Sequence, residues 1–161
     1  IRPNQLFAIT LGVIGQNSLA NDILTTTEKL LVPGAIRSLA DEPVNNYISD
    51  YHDNLDENDR NHPYQGIYIG DEDSQRKPAY HNGTAWTWPF PSFVEALLIT
   101  YGSDINSQAR ALLSSASILL ENGCIGHLPE ILDGNTPHHQ RGCAAQAWGA
   151  TELYRVWRLT S

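Results

Sequence analysis

Two carboxylates three positions apart, Glu130 and Asp133, follow Pro129 and precede Gly134. In such a turn one acid can be aimed into a pocket as a general base while the other holds the turn through local backbone hydrogen bonds. The same residues also suit a solvated surface acid beside an ordinary Asp-Gly turn. A second group runs from Ala79 to Pro89. Trp86 and Trp88, at i and i+2, can present rings to the apolar face of a sugar, with directional hydrogen bonds from His81, Asn82 and Thr84. Gly83 lets backbone come close there. The alternative is that both indoles fill a small core of the loop itself and that His81, beside Tyr80, is a hydrogen-bonded structural histidine.

The third group is Thr136 to Cys143. Adjacent His138 and His139 invite a metal, yet no third ligand stands at a zinc-like spacing and HExxH does not occur, so no metal is expected. Arg141 suits pairing with a loop carboxylate, which would orient that acid and keep it ionised; an ordinary salt bridge accounts for it equally well. Asp50, Asp53, Asp56 and Asp59 lack the alternate ligands, central Gly and terminal Glu of a calcium loop and read as a solvated acidic loop. Neither GxSxG, GxGxxG nor a phosphate loop is present, so no nucleotide cofactor is expected and nucleophilic catalysis has no support.

The 161 residues carry ten Lys/Arg and 18 Asp/Glu, a net charge of −8 without a basic cluster, which disfavours nucleic acid as a partner. The excess is local, because residues 41 to 76 contain ten acids against Arg60 and Arg76. No run approaches the roughly 20 apolar residues of a membrane-spanning helix, so no membrane partner is expected. Cys124 and Cys143, without CxxC, suit a reducing cytoplasm, although two thiols so spaced can pair in an exported protein. The sequence contains no methionine and opens at Ile1, from which a cut inside a longer chain is expected.

Five stretches show helical periodicity: Leu6 to Ile14, Ile23 to Leu31 after Asn21 or Asp22, Phe93 to Tyr101, Asp104 to Gly123, and Cys143 to Arg158. Pro33-Gly34 ends the second and Gly102 the third. Between them lie long connections rich in Asp, Asn, Gly and aromatics, a length normally functional or disordered. Disorder is not expected for 64 to 91, where six aromatic side chains gather. Gly66 to Gly70 can form one short strand. The predicted class is all-α, a partial (α/α) barrel with long functional loops on one side. Five helices cannot close a barrel of twelve, so their inner faces would need the rest of the domain or a second copy as partner.

In series, these segments resemble the C-terminal part of the catalytic domain of glycogen debranching enzymes, the amylo-α-1,6-glucosidase type. The matching stretches are Arg2 to Gln5, Pro33 to Leu39, Tyr64 to Gly70, Ala79 to Pro89, Glu130 to Gly134 and Arg141 to Trp148, in the family's order. The resemblance implies an α/α-barrel glycosidase that hydrolyses the α-1,6-linked glucose at branch points of glycogen or a limit dextrin. It would invert, one acid protonating the leaving oxygen while a second, roughly 6.5 to 9.5 Å away, activates water. Glu130 matches the family's base, and no counterpart of the acid is found between Ile1 and Ser161, so the chain alone is expected to be inactive. Tyr80, His81, Gly83, Trp86 and Trp88 would line the glucose subsite with Arg37 and Tyr68 nearby. Asn82 departs from the Gln common in the family. The alternatives are a carbohydrate-binding module without catalysis and a helical interaction module.

Overall fold

The computed structural model describes residues 1–44 and 61–161; the acidic run Asp50 to Asp59 lies outside them. A 3-10 turn at Pro3–Leu6 leads into α1 (Phe7–Thr10), followed by α2 (Ser18–Glu28). Helix α2 starts ahead of the predicted cap because Asn17 Oδ1 accepts the Ala20 N–H at 3.0 Å, which satisfies one orphan donor of its first turn.

The expected all-α partial barrel is overturned. A five-stranded antiparallel sheet stands among the helices, so the class is mixed α and β. Its strands are β1 (Leu31–Val32), β2 (Ala35–Arg37), β3 (Ala85–Trp86), β4 (Ile131–Leu132) and β5 (Gln140–Arg141), paired in chain order. Pro33-Gly34, predicted only as a helix stop, is the hairpin turn between β1 and β2; Pro followed by a Gly at φ 72° suits a type II turn. One cross-strand row runs Ile36, Trp86, Ile131, Arg141 and the next runs Arg37, Ala85, Leu132, Gln140. The expected strand at Gly66 to Gly70 does not form.

The core is centred on α4 (Phe90–Tyr101), which packs against α1, α2, α5 (Asn106–Ser114) and α7 (Ala147–Leu159). Pro91 in its first turn and Gly102 at φ 77° set its ends. Phe90, Phe93 and Val94 are buried on it, opposite Leu6, Ile9, Leu113 and Val156, and each such side chain stabilises by about 1.5–3 kcal/mol. The single helix expected from Asp104 to Gly123 is split into α5 and α6 (Ser117–Glu121). The break coincides with the docking of the β1–β2 turn, where the Gly34 N–H donates to Ser115 Oγ at 3.0 Å. Helix α7 begins four residues later than expected because 143 to 146 are engaged elsewhere: Cys143 O accepts from Glu130 N at 2.8 Å and Gln146 N donates to Leu128 O at 2.8 Å. Among the described residues no helix is long and apolar enough to cross a membrane.

Candidate functional site

The sheet places Glu130 one residue before β4, with its backbone held on both sides. Its N–H donates to Cys143 O at 2.8 Å and its carbonyl accepts from Thr87 N at 3.3 Å. Both carboxylate oxygens are occupied. The Tyr80 hydroxyl donates to Oε1, and the Cys143 N–H donates to Oε2 at 2.9 Å. Gly142, at φ 66°, makes room for this contact, since a Cβ there would stand 2.6 Å from Oε2. The half-buried glutamate therefore faces aromatic side chains: the Tyr80 ring lies 4.7 Å from that of Trp86, 4.8 Å from His81 and 5.6 Å from Tyr68.

Tyr80 is carried by α3 (Lys77–Tyr80) into a tight bend. Thr84 Oγ1 and Trp86 Nε1 both donate to the Tyr80 carbonyl, at 2.5 and 3.1 Å, while Asn82 Nδ2 donates to Pro78 O at 2.8 Å. Arg2 braces the bend from outside, donating to His81 O, to Ser38 O at 3.2 Å and to Asn82 Oδ1 at 2.8 Å. Burial and the hydrogen bond to Glu130 push the Tyr80 phenol well above its ordinary value, so it remains a donor through the neutral range. The fold thus favours neutral Tyr80, a preference that costs stability once the unfolded phenol ionises above about pH 10. Urea midpoints are therefore expected to fall between about pH 9 and 11.5, and less steeply in Tyr80→Phe; parallel curves for the two proteins would refute the coupling.

Asp133 behaves differently from the expected local turn-holder. It is 3% exposed and takes Arg141 Nε and Nη2 at 3.1 and 2.9 Å, plus the Tyr68 N–H at 2.8 Å from a distant segment. Arg141 accordingly pairs with Asp133. Asp133→Ala would leave the guanidinium and the Tyr68 amide without their acceptor, and a loss of about 3 kcal/mol is expected. Chemical denaturation measures it, and a loss below about 1 kcal/mol would show the pair to be dispensable.

Among the proposed sugar-subsite residues, Tyr68, Tyr80, His81 and Trp86 form one cluster with Glu130. The His81 and Trp86 rings are stacked, 5.2 Å apart and 4° from parallel. Trp88 belongs to a second stack, with Trp148 at 4.0 Å and Phe7 at 5.7 Å. Arg37 Nε donates to Gly134 O at 2.9 Å, supporting the turn after β4. Gly83 lies under Gln65, whose carbonyl would be 2.3 Å from a Cβ, and its N–H donates to Ser38 Oγ. Beside Trp86 and Trp88 opens a pocket of about 330 Å³, also lined by Arg2, Asn4, Ser38 and His81. Reading residue types did not single out Arg2, Asn4, the Cys143 amide or Trp148 as site groups. Trp148 is 53% exposed, and its place within the Arg141 to Trp148 stretch was the available signal.

A carboxylate bonded to a tyrosine that packs on Trp86, with Trp86 and Trp88 lining a small pocket that also holds polar groups, is an arrangement suited to a sugar-handling protein. The chain matches the amylo-alpha-1,6-glucosidase family model over residues 1–155 and belongs to that family, whose members are glycosidases of the glycogen-debranching type. No individual curated protein matches the chain.

Proposed function

We propose that this chain carries the base of an inverting hydrolysis that releases α-1,6-linked glucose from the branch points of an α-glucan. Glu130 is the general base. The observation that carries this reading is the double anchoring of its carboxylate by Tyr80 and the Cys143 amide. Each oxygen holds one donor, which leaves lone pairs for water while fixing where that water would stand. Tyr80 is a positioning residue acting through the carboxylate, and His81, Trp86 and Trp88 supply the sugar wall.

The test is the anomer first formed from a branched limit dextrin, followed by proton NMR with the intact protein. Attack by a Glu130-activated water from the opposite face gives β-glucose initially. Initial α-glucose would overturn the inverting reading. The exposed Trp148 end of the second stack favours a subsidiary reading, sugar binding without turnover. Maltooligosaccharide binding by the 161-residue chain, lost in Trp86→Ala and unaccompanied by hydrolysis in the intact protein, would establish that alternative.

A further inference from the structure

We propose that Asn4 determines specificity in the pocket beside Trp86 and Trp88, reading the hydroxyls of a single glucosyl unit; this deepens the sugar-site reading and rests on it. At about 330 Å³ the pocket is at the lower end of the roughly 300–1,000 Å³ typical of ligand clefts, a size for one hexose ring rather than a chain. The walls divide by chemistry. Trp86 and Trp88 provide apolar area, and the His81 ring is stacked on Trp86. The polar groups are committed to different degrees. Arg2 is held by Ser38 O, His81 O and Asn82 Oδ1, and Ser38 Oγ accepts from the Gly83 N–H. The Asn4 amide has no hydrogen-bonding partner among the described residues, while its backbone carbonyl accepts from Phe7 N.

Asn4 is exposed, but the backbone that carries it is anchored. It stands in the 3-10 turn between buried Pro3 and Leu6, and Gln5 Nε2 donates to Arg2 O at 2.9 Å across that turn. Arg2 in turn ties this arm to the loop that bears His81, so Asn4 lines the pocket from backbone anchored beside it. A primary amide offers an acceptor and two donors in one plane, a pattern that matches two adjacent sugar hydroxyls.

The experiment is a deoxy-sugar series. Binding of glucose and of 2-, 3-, 4- and 6-deoxyglucose to the intact protein is measured by saturation-transfer NMR titration for the native sequence, Asn4→Ala and Glu130→Gln. The native protein is expected to discriminate against removal of one hydroxyl, or two adjacent ones, by roughly 3- to 10-fold each. In Asn4→Ala that discrimination disappears at those positions only. Unchanged discrimination in Asn4→Ala, equal weakening of every sugar, or absence of sugar binding by the native protein would each overturn the inference. Glu130→Gln separates it from the catalytic reading. A native deoxy pattern in that variant with undiminished hydrolysis sinks the base assignment and leaves Asn4 standing, whereas abolished hydrolysis with no role for Asn4 does the opposite.

Discussion

Glu130→Gln is expected to lower release of branch-point glucose by roughly 10²- to 10⁴-fold, the range associated with loss of a positioned general base. The amide matches the carboxylate in shape, and its oxygen can still accept from the Cys143 N–H that now meets Oε2. The Tyr80 hydroxyl, which donates to Oε1, can reverse its role and accept from the new NH₂. The substitution should therefore leave the fold and sugar affinity near their native values and act on turnover. Steady-state kinetics with a branched dextrin, beside a denaturation curve, separates these effects. A turnover reduced less than tenfold in a normally folded protein would remove Glu130 from the base position.

Gly142→Ala is expected to act on the same carboxylate without touching its chemistry. The new methyl would begin 2.6 Å from Glu130 Oε2 and 3.1 Å from Ile131 Cγ1, so the glutamate must move to accommodate it. The backbone at φ 66° adds about 1–2 kcal/mol of strain for a residue bearing a Cβ. Displacing a catalytic group by about 1 Å costs on the order of 10²-fold in rate. A fall of that size in kcat with KM changed by less than about threefold is the expected pattern, because the indole pocket is lined by other residues. Native turnover in Gly142→Ala would mean that the Cys143 amide does not set the carboxylate's position.

The glutamate, the aromatic bend and the order of the segments were legible because side-chain types announce them: Glu130 beside Pro129 and Gly134, and Tyr80 through Trp88. Helices α2 and α4 were also readable from apolar spacing, and Gly102 correctly marked the end of α4. The sheet was not. Its strands are two or three residues long, too short for a period-two pattern, and they exist through pairing between distant segments. For the same reason α7 starts later than composition predicts, since residues 143 to 146 have acceptable helical composition but are engaged with Leu128 and Glu130. The Cys143 N–H is invisible to any reading of residue types, because every non-proline backbone offers one. Asn4 and Trp148 lay within recognised stretches, yet only their neighbours in space distinguish them.

The brace and bridge contacts span long intervals of chain. Arg2 reaches Asn82 across 80 positions, Arg37 reaches Gly134 across 97, and Tyr80 meets Glu130 across 50. Closing each interval carries an entropic cost before any contact rewards it. These contacts are therefore expected to form after the hydrophobic centre has drawn the intervals together. Amide hydrogens at Trp86, Ile131 and Cys143 should then exchange with deuterium through a shared opening event, and any variant that loosens one of them should expose all three.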